Sequence, residues 1–300
     1  MPFNMDQVTL CIFANFFIDN EERFRRLKDS FYSFRDVEPN EWRINIRGRF
    51  KHEVYDFLHS ELGDIIDVRF LESEKGWLHD SYSFMHSVRS EFVFFWIEDH
   101  ICIVDPKILS EIIYDMSLAS ADQCLYSWYH PATLNVYRNL PKQKVFPNII
   151  SYKLDSDISR IARHKLGADF YCVSALSIFS SKFFLKVLSS KRPYLKRWPK
   201  HLPFDFEKKS TDCVAPSIVC ALPTRELFAA IDDDHGNPGY SLIARGEYPD
   251  RVSRDELKVL EFGARRARSR FQFMPRLLRS FLVNAYSLSR RLYYSLSYYV

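Results

Sequence analysis

The chain has 300 residues, 47% of them hydrophobic and 16% aromatic, a composition that excludes a disordered polymer and is long enough to bury a large core. A formal charge of +4 is too small to imply nucleic acid, so no nucleic-acid partner is expected. Cysteines at 11, 102, 124, 172, 213 and 220 show neither a CxxC pair nor zinc-ligand spacing, so reduced, buried thiols are expected rather than a disulfide framework. The opening MPFNMDQVTL lacks a basic region followed by an apolar core, and no apolar run reaches spanning length. Neither a signal peptide nor a membrane-spanning helix is therefore expected.

In chain order, VTLCIFANFF (8–17) reads as an apolar strand. Asp19-Asn20 then caps a helix from Glu21 to Phe34, whose buried face is Phe24, Leu27, Phe31 and Phe34. EWRINIR (41–47) alternates as a second strand, and Gly48 turns the chain. A helix over 52–62, a strand over 65–71, a helix over 77–88 and a strand over 92–97 complete the first hundred residues. This alternation predicts βαβ units and a mostly parallel sheet flanked by helices. Farther on come a short helix (107–116), a strand (123–130), an irregular proline-punctuated stretch (131–154), a strand (170–178) and a helix (180–188). An apolar segment at 217–222 precedes a loop dense in ligand-type residues, DDDHGNPG (232–239).

The organising stretch is SEFVFFWIEDHICIVD (90–105), in which an apolar strand ends in Glu98-Asp99-His100. Ionisable groups at the tip of a buried strand are costly unless a metal, a cation or a ligand uses them. Ligands of open α/β sheets sit at the carboxyl ends of the strands, where this triplet falls. Carboxylates suit Mg²⁺ or Mn²⁺, and His joins a Mn²⁺ shell. The other reading of the triplet is an ordinary strand-to-turn boundary.

The order of these signals resembles the nucleotide-sugar glycosyltransferases of GT-A fold, especially the family-2-like bacterial enzymes of surface-polysaccharide assembly. TLCIFANFFIDNEERFRRLKDSF (9–31) is similar to their first strand and helix, KGWLHDSYSFMHSVRSEFVFFWIEDH (75–100) to their helix and acidic strand, and FYCVSALSIFSSKFFLKVLS (170–189) to their acceptor-side strand and helix. The likeness covers about residues 7–240. It implies a GT-A-like α/β fold and puts Glu98-Asp99-His100 in the place of the Asp-x-Asp motif, with Glu98 and His100 standing where Asp is usual. The second strand also ends in Asn45-Ile46-Arg47, without the acidic residue that often meets the base.

On this reading a divalent cation (Mn²⁺ or Mg²⁺) held by Asp99 and His100 offsets the charge of a departing nucleotide diphosphate, with Glu98 beside it. His235, in its Gly/Pro loop beside three aspartates, is a candidate for the same site, against the alternative of a solvated acidic turn. An inverting transfer needs a carboxylate to take the acceptor's proton, and Asp205, then Glu207, are the candidates; the alternative is simple helix capping. Asn15, Arg47, Lys75 and Asp80, at strand ends or early in helices, are candidates for base, ribose and phosphate contacts.

After Glu261 the chain carries eight Arg and no acid, alternating with Phe, Leu and Tyr. Such a basic amphipathic tail suits an anionic membrane surface, or else a helix docked on the core or on a dimer partner. The expected organisation is a GT-A-like domain over 1–262 with a helical tail over 263–300. The expected protein is cytoplasmic and peripheral on the inner face of the membrane. It moves sugar from a nucleotide-sugar donor to a glycan or lipid-linked saccharide acceptor in capsule or lipopolysaccharide biosynthesis, and a homo-oligomer is compatible with the sequence. The alternatives are a non-catalytic GT-A-like assembly partner and a nucleotidyltransferase.

Overall fold

The computed structural model describes residues 8–71, 77–127, 140, 144–155, 157–158, 174–189, 217–232 and 241–252. The chain divides into two units, Met1–Arg251 and Val252–Val300. The strands of the first unit are β1 (Leu10–Phe17), β2 (Glu41–Arg47), β3 (Ile66–Phe70), β4 (Phe92–Trp96), β5 (His100–Cys102), β6 (Gln123–Leu125), β7 (Lys144–Val145), β8 (Ile149–Asp155), β9 (Ser177–Ser180), β10 (Ser217–Pro223) and β11 (Phe228–Ala230). Its helices are α1 (Glu21–Phe34), α2 (Lys51–Leu62), α3 (Trp77–Met85), α4 (Ile108–Ala119), α5 (Ser181–Ser189) and α6 (Leu242–Arg245).

Nine strands form one sheet in the order β3-β2-β1-β4-β9-β6-β10-β8-β7, and β5 pairs with β11 in a separate ribbon. The first four strands are parallel, as the βαβ alternation requires. β9 runs antiparallel between β4 and β6, and β8 runs antiparallel between β10 and β7. The sheet is thus mostly parallel, with two strands reversed.

Both faces of the sheet are covered, which is why β1 and β4 read as continuous apolar runs. Leu10, Ile12, Ala14 and Phe16 of β1 pack on the face carrying Leu27, Phe31 and Phe34 of α1, Val54 and Leu58 of α2, and the apolar side of α4. Cys11 and Phe13 point the other way, onto Phe84 and Met85 of α3 and Phe183 and Phe184 of α5. The first face holds an aromatic cluster centred on Trp96, whose ring lies 4.7 Å from Phe16 and 5.1 Å from Phe34. Each such buried ring contributes roughly 1.5–3 kcal/mol relative to exposure. Cys11, Cys102, Cys124 and Cys220 are buried free thiols, as expected; Cys172 and Cys213 lie outside the described residues. Among the described residues no helix is long and apolar enough to cross a membrane.

Three sequence expectations need correction. The stretch over 131–154 is not irregular throughout, because β7 and most of β8 lie in it. The strand expected over 123–130 stops at Leu125, and Ser127 makes only a single parallel bridge to Phe228. The strand expected over 170–178 is instead Ser177–Ser180, while residues 170–173 lie outside the described residues.

Gly48 joins the exits of β1 and β2. It has φ +104°, and a Cβ there would lie 2.2 Å from the Ile18 carbonyl oxygen. The close approach is held by Ile18 N–H donating to Arg47 O and Phe50 N–H donating to Ile18 O, each at 3.0 Å. Gly63 also has a positive φ, +61°, but open space around it. Gly48→Ala should therefore destabilise more than Gly63→Ala, whose cost is backbone strain of about 1 kcal/mol. Urea unfolding of both variants checks this; equal midpoints would contradict the proposed crowding.

Candidate active site

The chain leaves β1 toward β2 and β3, then returns to place β4 on the other side of β1. The direction of winding therefore reverses between β1 and β4, and the crevice beyond their carboxyl ends is where an open α/β sheet takes its ligand. Two connections lead out of these strand ends. Ile18-Asp19-Asn20 runs from β1 into α1, and Ile97-Glu98-Asp99 runs from β4 into β5. Asn20 caps α1, its side-chain oxygen accepting from the Arg23 N–H at 2.9 Å.

The acidic triplet is built into a charge network. Glu98 is 5% exposed and ion-paired with Arg23 of α1. Asp99 keeps 34% of its side-chain exposure and accepts from His100 Nδ1 at 2.7 Å. An ionised carboxylate only accepts, so Nδ1 carries the proton of this bond. His100 Nε2 is buried without a hydrogen-bond partner. Arg26, 4% exposed, pairs with Asp232 at the end of β11 and reaches Glu22 at 3.3 Å. Ile231 N–H donates to the Asp99 carbonyl at 2.7 Å, which ties β11 to the triplet through the backbone. Burial pushes the Asp99 carboxyl up, but His100, Arg23 and Arg26 together outweigh it and hold it at about 2, below the ordinary 3.8.

The segment after β11 is fastened to the outer side of α1. Tyr248 donates to Asp29 at 2.5 Å and Arg251 lies 3.5 Å from Glu22, while Arg245 forks onto both oxygens of Glu226, between β10 and β11, at 3.0 Å.

Asn15, Arg47 and Asp80 form a second group on the opposite face, under α3. Asn15 donates to Ser81 Oγ at 2.9 Å and accepts from Asn45 Nδ2 at 2.9 Å. Arg47 pairs with Asp80 at 2.6 Å and stacks on Trp77 with its guanidinium 4.3 Å from the ring centre. These bonds dock the start of α3 on the sheet, so all three residues have a structural task at the carboxyl edge. The structure thus brings Glu98, Asp99 and His100 together on the α1 face and Asn15, Arg47 and Asp80 together on the α3 face. Lys75, Asp205, Glu207 and His235 lie outside the described residues.

Sequence reasoning missed Arg23 and Arg26, and took Asp232 only as part of the acidic loop beside His235. One signal was present: cations in the first two turns of a helix oppose its dipole and need anionic partners. The partners sit 75 and 206 residues away, which no local pattern reports.

Among the described residues the triplet does not by itself make up a divalent-cation site, and His235, the other expected ligand, lies outside them. Glu98 is engaged by Arg23 and Asp99 by His100, and two guanidinium groups already act on Asp99. Among the described residues no three His, Cys, Asp or Glu are grouped to hold a metal ion. His100 holds Asp99 through Nδ1, and its Nε2 is buried.

A shallow cavity of about 470 Å³ lies at the other end of the sheet, lined by Glu41, Arg43, Ser87 and Arg89 among others. Two of its charged groups, Glu41 and Arg43, are paired with each other. Arg43 donates to Glu41 at 2.7 Å and to the Phe84 carbonyl at 2.6 Å, and Glu41 also accepts from Ser90. The crevice at the carboxyl ends is the better candidate, because there alone the topology reverses.

Crevice and sheet define a doubly wound α/β protein with a charged site at its switch point. No family model and no curated protein matches the sequence. Solved structures of S. aureus TarS are similar to this chain. TarS 1-349 matches with a TM-score of 0.47 and 12% identity over 74% of this chain and 60% of that one. TarS 1-349 in complex with UDP-GlcNAc matches with a TM-score of 0.48 and 11% identity over 76% and 59%. The chain spans about 60% of the length of these structures, and 36% of a longer TarS structure.

Because the Asp99 carboxyl is held below its unfolded-state value, its ionised form adds stability above about pH 4, and this contribution fades as pH falls toward 2. Asp99→Asn should lower the urea midpoint at neutral pH, with the gap to the wild type closing across that acidic window. A gap that does not change with pH would contradict the ion network.

Proposed function

We propose that the protein is a glycosyltransferase that moves a sugar from a nucleotide-sugar donor to a saccharide or lipid-linked acceptor, in the assembly of a cell-surface polysaccharide. The observation that carries this reading is the charged network of Asp99, His100, Glu98 and Arg23 at the crevice between β1 and β4. Sequence resemblance supports it over residues 9–31 and 75–100, the stretches that contain β1, α1, α3 and β4.

In the proposed reaction an acceptor hydroxyl attacks the anomeric carbon, the bond from that carbon to the diphosphate oxygen breaks, and its electron pair stays on the diphosphate. The hydroxyl proton passes to a carboxylate, for which Asp205 and Glu207 remain the candidates. Asp99, ionised and partly exposed, accepts hydrogen bonds from hydroxyls of the bound donor, and His100 holds it in place. Asn15, Arg47 and Asp80 fix α3 as the wall of the nucleotide subsite. The basic tail beyond Glu261 attaches the enzyme to the anionic inner face of the membrane, where a lipid-linked acceptor is found.

A second reading is a non-catalytic assembly partner of the same fold. The ion pairing of Glu98, which removes one carboxylate from the triplet, favours it.

Thermal unfolding with UDP, GDP and CMP, each with and without Mn²⁺, distinguishes the two. The enzyme reading expects one nucleotide to raise Tm by roughly 5–10 °C at a hundredfold excess over Kd. No shift with any of them would leave the scaffold. Deleting residues 271–300 should release the protein from anionic liposomes in a sedimentation assay; undiminished binding would remove the tail's assigned role.

A further inference from the structure

We propose that Arg23 is the group that meets the donor's diphosphate, and that Glu98 serves to position Arg23 rather than to bind a cation; this rests on the nucleotide-sugar reading above. Arg23 stands in the first turn of α1, at the mouth of the crevice beyond β1 and β4. Its side chain is 21% exposed, whereas the Glu98 side chain that holds it is 7% exposed. The carboxylate is therefore the inner member of the pair and the guanidinium the outer one, nearer to a ligand arriving from solvent.

A guanidinium carries five N–H donors in a planar fork, so it can hold Glu98 and a phosphate together. Arginine in this position also works against the helix dipole, a cost that a bound anion would offset. Asn20 gives an independent sign of a missing ligand. It is 7% exposed, its oxygen caps α1, and its side-chain Nδ2 is buried with no hydrogen-bond partner. A buried amide N–H without an acceptor is uncommon, and a phosphate oxygen beside Arg23 would satisfy it. Arg26 lies deeper and is paired with Asp232 and Glu22, so it adds field rather than contact.

As the sugar–phosphate bond breaks, negative charge grows on the diphosphate oxygens. A guanidinium already fixed by Glu98 meets that charge without reorganising, which is how a preorganised donor lowers a barrier.

The test is calorimetry on the full chain, titrated with UDP and GDP and, as controls lacking the diphosphate, uridine and guanosine, in EDTA and again in Mn²⁺. Arg23→Met should weaken the nucleoside diphosphate roughly tenfold to a hundredfold and leave the matching nucleoside within about twofold. Arg23→Lys should recover part of the loss. Since Arg23→Met takes an ion-pair partner from the buried Glu98, the pair Arg23→Met with Glu98→Gln is measured too, and the same selective loss is expected of it. Unchanged diphosphate affinity in the pair would overturn the proposal. So would an equal loss for nucleoside and nucleoside diphosphate, which marks a merely structural role. Wild-type affinity that vanishes in EDTA and ignores Arg23→Met would return the diphosphate to a cation. Failure of the wild type to bind UDP or GDP under any condition would remove the nucleotide-sugar reading itself, and the Arg23 assignment with it.

Discussion

A carboxylate buried at the tip of a strand must be answered by a positive group, and Glu98 is answered by Arg23. That demand organises the α1 side of the molecule. It draws the first turn of α1 onto the end of β4, which brings Asn20 and the β1 exit to the same crevice. The neighbouring turn of α1 repeats the arrangement with Arg26 and Asp232, which carries the end of β11 to the same place. Long-range ion pairs thus close the α1 side of a site whose strands pack on that face through apolar side chains.

The two faces of the sheet share the work differently. On the α1 face, apolar side chains and Trp96 fill the interior up to the edge, and charge begins only at Glu98. On the α3 face polar groups reach into the layer: Arg43, Asn45 and Arg47 alternate along β2, Arg43 and Arg47 binding α3 or its ends and Asn45 holding Asn15, which bonds Ser81 of α3. A helix docked by hydrogen bonds is fixed in register, since a slip by one residue would orphan several buried donors at once. The start of α3 is therefore a rigid wall, against which a ligand in the β1–β4 crevice can be held.

The sequence carried the βαβ half in full. β1, α1, β2, α2 and β4 follow from apolar runs, helical spacing and the Asp19-Asn20 cap, because both faces of those strands are buried. The site was legible as far as its acidic triplet and its place at a strand tip. The partners of that triplet were not, since Arg23 and Glu98 meet across 75 residues and only the fold brings them together. The mixed half was harder for a different reason. β8 (IISYKLD) is short and alternates buried with partly exposed positions, and prolines precede it, so it reads as loop until β10 is available to pair with it. The contact of His100 Nδ1 with Asp99 likewise shows only in the fold.

The central claim is that the ligand's phosphates lie at the carboxyl ends of β1 and β4, against Arg23. A crystal structure with UDP or GDP soaked at millimolar concentration tests it most directly. Phosphate oxygens within hydrogen-bond distance of the Arg23 guanidinium are the expected result. A nucleotide seated instead in the cavity beside Glu41 and Arg43, at the opposite end of the sheet, with no phosphate on Arg23, would contradict it.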